Sequence, residues 1–193
     1  MVATMQEQRL GLTRRRLHKR EVTCEAFLRD DGLIDVEGYL LDTKPDPVTT
    51  PYRRIAAGEP LHGMRLRLAV DEQFRVHEVD ASIDAAPTPF CADISSAYAQ
   101  LEGLCLDTGY RRELNRRLGG VKGCTHLSEL LGPMVTTLYQ GTFELRRQGL
   151  LGGSALPGSV GRCHVYYPGA ETTRALIDTT SASAKAASDP PLP

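Results

Sequence analysis

An α+β fold, with an antiparallel β-sheet of two hairpins followed by helices packed on one face, is what the order of patterns in this chain predicts. Three observations carry the prediction. Apolar residues alternate with polar ones through the first part of the chain, the period of a half-buried strand. Asp30-Asp31-Gly32 separates the first two alternating runs, and Asp-Gly marks a hairpin because Gly accepts positive φ. After Pro89 the apolar residues recur at helical spacing instead.

Val22, Cys24, Ala26 and Leu28 place a strand over Glu21–Leu28, and Ile34, Val36, Gly38 and Leu40 place a second. Pro45, Pro47, Pro51 and Pro60 mark 43–60 as an extended loop. Met64, Leu66, Leu68 and Val70, alternating with Arg65, Arg67 and Ala69, form the clearest strand. Asp71-Glu72-Gln73 turns the chain. Phe74 and Val76, then Val79, Ala81 and Ile83, return beside it, and the change of parity between Val76 and Val79 predicts a bulge.

Asp93 caps a helix that carries Ile94, Ala97, Leu101 and Leu104 on one side. Tyr110, Leu114 and Leu118 define a second helix, closed by Gly119-Gly120. A third runs from about His126 through Leu130, Leu131, Leu138 and Tyr139, with a kink at Pro133. Gly149, Gly152 and Gly153 mark a loop, and Cys163, Val165 and Tyr167 a last short strand. The chain thus divides into a basic flexible arm over 1–19, a single α+β domain over 20–168, and a disordered Ser/Ala/Pro-rich tail over 169–193.

The 23 basic and 24 acidic side chains nearly cancel, which argues against a nucleic-acid binder working by bulk positive charge. No apolar run approaches the roughly 20 residues of a membrane span. The Arg-rich start lacks the apolar core of a secretory signal. Cys24, Cys91, Cys105, Cys124 and Cys163 are odd in number and scattered, unlike a disulfide framework, so the expected setting is reducing and cytoplasmic. There, Cys and His lean toward metal binding or catalysis. The chain has neither a Walker-type phosphate loop nor a dinucleotide fingerprint.

Three segments put metal-ligating residues at element edges: Pro60-Leu61-His62-Gly63, Pro89-Phe90-Cys91-Ala92-Asp93, and the Gly-rich Gly119–His126 stretch. Cys124 and His126 converge only in a turn at a helix start, since on a regular helix they point apart. The free N–H groups and dipole of a helix start favour a thiolate, the form that a metal or an electrophile takes. Asp42-Thr43-Lys44 ends the second strand, where Asp42 reads either as a strand cap or as an outer-shell ligand. Arg111, Arg112, Arg116 and Arg117 read as a solvated helix face or as a dock for an acidic partner. Cys24 and Cys105 read as core, His18 and His77 as solvent-facing, and Cys163-His164 as structural.

Several stretches resemble a bacterial family catalogued as domain of unknown function 2889. They are Arg29-Asp30-Asp31-Gly32-Leu33, Leu41-Asp42-Thr43-Lys44, Leu61-His62-Gly63-Met64, Cys91, Leu101-Glu102-Gly103 and Gly123-Cys124-Thr125-His126-Leu127. They span roughly Arg20 to Gln140 and imply no established activity. More distantly, about Pro60 to Tyr139 resembles the iron–sulfur cluster scaffold domains of the NifU and IscU type. In those, a hairpin leads to a cysteine at a helix start, and a Lys-x-His-Cys segment opens a later helix. Met64–Ala81, Cys91–Ser96 and Val121–His126 resemble those parts, whereas Pro60 stands in place of the family's first cysteine and His62 in place of its aspartate.

His62, Cys91, Cys124 and His126 are therefore the expected metal ligands, for Zn²⁺, iron or an iron–sulfur cluster, with Asp42 as an outer-shell group. Plain readings stand beside this one: Cys91 as a small buried hydrophobe, His62 as a loop histidine. A rival class is a cysteine- or metal-dependent enzyme of bacterial catabolism, with Cys124 as nucleophile and His126 as base. A third is a non-catalytic interaction module that uses the basic arm or the Arg face.

Overall fold

The computed structural model describes residues 13–107, 109–152, 160–161 and 164–188. Its strands are β1 (Lys19–Leu28), β2 (Ile34–Thr43), β3 (Val48–Thr49), β4 (Arg54–Ile55), β5 (Pro60–Val70) and β6 (Val76–Ala85). The two predicted hairpins pair into one antiparallel sheet in the order β1-β2-β5-β6. Alternation explains the pairing, because each even-numbered residue of β2 from Ile34 to Leu40 turns to the helices. Inside the expected 43–60 loop, β3 and β4 form a two-residue ladder that buries Ile55.

The parity change does mark a bulge. Ala69 pairs with Glu78 and Val70 with Val76, so His77 is the extra residue. Phe74 belongs to the turn rather than the strand. It sits at φ 62, held by its N–H on the Asp71 carbonyl and by an edge-on contact with the Tyr139 ring.

The first expected α-helix is instead a run of 3₁₀ turns over Pro89–Leu101, capped by Thr88 rather than Asp93. Ser95 and Ser96 bond back to the carbonyls of Ala92 and Asp93 three residues earlier, favouring the tighter turn. Tyr98 and Leu101, three apart, are its buried residues. Helix α1 (Tyr110–Leu118) ends at Gly119 as expected. Helix α2 (Thr125–Arg147) passes through Pro133, which lies exposed, and extends beyond the expected end near Tyr139. His164–Tyr166 form a 3₁₀ turn, not a strand, and Cys163 lies outside the described residues. Within the stretch expected to be a disordered tail, Glu171–Ser188 form a helix, α3. The burial of Ala170 and Thr173, and the bond from Thr173 to the Tyr167 carbonyl, anchor its start. Of the basic arm, residues 1–12 lie outside the described residues.

The core lies between the sheet and α2. Leu127, Leu130, Leu131, Met134 and Leu138 meet Val36, Leu40, Met64, Leu66 and Leu68 there. The opposite sheet face is polar, with Arg67 paired to Asp35, Glu78 and Asp80. Among the described residues no helix is long and apolar enough to cross a membrane.

Gly38 lets α2 approach β2. A Cβ there would stand 2.7 Å from Met134 Sδ and 3.4 Å from Leu130 Cδ2. Gly38→Ala is expected to destabilise by about 1–2 kcal/mol through overpacking. A melting temperature equal to wild type would show that α2 does not press on β2 at this point.

Candidate metal centre

Register brings the site together. Arg20 of β1, Asp42 of β2 and His62 of β5 are cross-strand neighbours at one end of the sheet. Asp42 continues the buried series Ile34, Val36, Gly38, Leu40, so its carboxylate enters the core face and is 0% exposed. A register shift beside Asp42 lets Leu61 bulge, and His62 turns toward the carboxylate. The start of α2 supplies His126 from above, with Cys124 as its N-cap residue. Tyr98 fixes that start: its hydroxyl accepts from the Cys124 N–H at 3.1 Å and lies 2.7 Å from both the Cys124 carbonyl and Ser128 Oγ.

Asp42 is the hub. Oδ1 accepts from Arg20 Nε at 2.8 Å and lies 3.0 Å from His18 Nε2. Oδ2 accepts from the Arg20 guanidinium at 2.7 Å and lies 3.0 Å from His62 Nδ1. His126 Nε2 stands 4.0 Å from the same Oδ2. Burial alone would push this carboxyl up. The bonds from Arg20, His18 and His62 outweigh it and hold the group well below the usual carboxylate range. Arg20 is itself braced by Glu129 of α2.

The two imidazoles stack, with centroids 3.9 Å apart and planes at 30°. Burial, then the neighbouring His62 and Arg20, lower the His126 pKa, which favours the neutral ring that a metal needs. Ligand atoms of Asp42, His62 and His126 all lie within 4.8 Å of one another. On its other side, His126 Nδ1 is 3.9 Å from Cys124 Sγ, which is 3.8 Å from Met64 Sδ.

The expected ligands therefore divide. His62 and His126 meet, and Asp42 stands with them inside the cluster. Cys124 lies beside His126 but outside the group of converging atoms. Cys91 is not in that group either; its thiol pairs with Thr88 Oγ1 at 3.3 Å on the 3₁₀ segment. His18 and His77 are both exposed, as expected, but His18 also reaches Asp42 while His77 pairs with Asp71. Cys24 and Cys105 are partly buried, and burial raises both thiol pKa values. Of the Arg face, Arg116 and Arg117 pair with Glu113, and Arg117 also donates to the Gln100 carbonyl.

A family profile described as "Protein of unknown function (DUF2889)" matches residues 18–140. The chain belongs to this family. The matched region begins at His18 and contains every residue of the cluster. Comparison with curated proteins and with solved structures gives no match.

Proposed function

We propose that this family member is a metal-binding protein whose centre is formed by Asp42, His62 and His126. The observation that supports this reading is the convergence of two imidazoles on a fully buried carboxylate whose partners hold its pKa low. Two nitrogens and one oxygen suit Zn²⁺ or Fe²⁺ and leave coordination positions open. An iron–sulfur cluster asks for several thiolates, and the group contains none.

With about 2.1 Å bonds, adjacent ligands of a six-coordinate ion lie about 3.0 Å apart. The His62 Nδ1 to Asp42 Oδ2 separation of 3.0 Å suits that spacing, while His126 Nε2, 4.0 Å from the same oxygen, would have to move inward to join them. When bound, such an ion supplies Lewis acidity and lowers the pKa of water. The chain's own part is to hold the donors ready. Arg20 and His18 orient the Asp42 carboxylate, Asp42 sets the His62 ring through a contact that a bound ion would replace, and Tyr98 fixes the turn that carries His126.

The test is a spectroscopic titration of the full chain with Co²⁺, followed by displacement with Zn²⁺. We expect saturable binding that falls at least about tenfold in His62→Ala and in His126→Ala and is unchanged in Cys91→Ser. Equal binding by all four proteins would remove the site.

A second reading rests on His126 lying between Cys124 Sγ and Asp42 Oδ2. That order, thiol, imidazole, carboxylate, is the arrangement of a cysteine nucleophile with its base and orienting group. Under this reading, metal-free protein alkylates selectively at Cys124, and His126→Ala abolishes the selectivity.

A further inference from the structure

We propose that Cys124, Met64 and the Nδ1 atom of His126 form a separate, soft-metal site for Cu(I). The sulfur atoms of Cys124 and Met64 are 3.8 Å apart, and Cys124 Sγ is 3.9 Å from His126 Nδ1. With metal–sulfur bonds of about 2.3 Å and a metal–nitrogen bond of about 2.0 Å, a three-coordinate ion spreads its ligands to roughly 3.7–4.0 Å. The two separations that meet at Cys124 Sγ are those of neighbouring ligands on such an ion.

The chemistry of the donors selects the ion. A thiolate and a thioether are soft ligands that favour Cu(I), and an imidazole completes the set without changing that preference. Met64 is 1% exposed and lies among the core residues, so its sulfur is held in place by packing. Cys124 is tied at its backbone by the Tyr98 hydroxyl. Two of the three donors are thus pre-positioned. His126 and Cys124 are only partly buried, which leaves a way in. On binding, the Cys124 thiol gives its proton to solvent, and no oxidation or reduction occurs.

The site uses the ring nitrogen that faces away from Asp42, so it goes beyond the centre proposed above. His62→Ala, which disables that centre, leaves all three soft donors in place. The two proposals therefore fail separately.

The experiment is an anaerobic competition for Cu(I) alone between the full chain and a colorimetric chelator. We expect about one Cu(I) per chain to be withheld by wild type, His62→Ala and Cys91→Ser. Cys124→Ser is expected to release it. Met64→Leu conserves volume and keeps the fold, and is expected to weaken binding about tenfold or more. Circular dichroism checks that both variants remain folded. Equal retention by wild type, Cys124→Ser and Met64→Leu would overturn the proposal. So would release from Cys91→Ser as complete as from Cys124→Ser, or release from His62→Ala.

Discussion

Asp42→Ala is expected to lower the unfolding free energy by about 2–4 kcal/mol, because Arg20 and two imidazoles lose the buried acceptor they share. Arg20 donates to this carboxylate, and a ring nitrogen each of His18 and His62 lies 3.0 Å from it, where solvent does not reach. For a chain of this size the melting temperature falls by roughly 10 °C. Asp42→Asn keeps one carbonyl acceptor and is expected to fall between the two. The same bonds predict an acid limb. The folded carboxyl ionises below its unfolded value of about 3.9. Its contribution is complete above that pH and is lost as pH falls through the folded value. Wild type is therefore expected to lose stability below about pH 4 more steeply than Asp42→Ala. Melting curves between neutral pH and pH 2 check both statements, and superimposable curves for the two proteins would contradict them.

Leu130→Ala is expected to cost about 2–5 kcal/mol, through lost burial and the cavity left behind. Leu130 is 0% exposed and sits with Met134 in the seam where α2 presses on β2 at Gly38. The seam has a second consequence. Helix α2 carries His126, while the sheet carries Asp42 and His62, so packing between them sets the distances in the cluster. Leu130→Ala is therefore expected to weaken Co²⁺ binding about tenfold as well, although the residue touches none of the ligands. Denaturant unfolding and the Co²⁺ titration measure the two effects. Lower stability with unchanged metal affinity would mean that the helix start is positioned by Tyr98 alone.

Much of the sheet was legible because a strand period of two leaves little freedom. Ile34 to Leu40 and Met64 to Val70 could alternate in only one phase with their apolar residues buried, whereas in β1 only Cys24 and Ala26 are partly covered and Val22 and Leu28 stay exposed. The slip in phase at His77 was readable for the same reason. The 3₁₀ segment was not. Tyr98 and Leu101 are three apart, a spacing both helix types allow, and the deciding bonds come from Ser95 and Ser96.

The site was half legible. His62 and His126 stand out at the starts of β5 and α2, but Cys91 looked equivalent because a local motif carries no distance. Asp42 lies in phase with Leu40, in a buried position that an apolar residue would ordinarily take, and Arg20 lies on the same side of β1 as the partly buried Cys24. A charge in phase with a buried stripe was the available pointer to their pairing. His18 was hidden because it precedes the strand. Only the Lys19 to Thr43 register places it beside Asp42.

Asp42, His62 and His126 are proposed to hold a metal ion. The most direct test is elemental analysis of the full chain purified anaerobically without chelators, beside a His62→Ala/His126→Ala double variant. About one zinc or iron per chain is expected in the wild type and none in the folded double variant. A wild type that carries no ion and takes up none when Zn²⁺ or Fe²⁺ is supplied, or a double variant that keeps its ion, would contradict it.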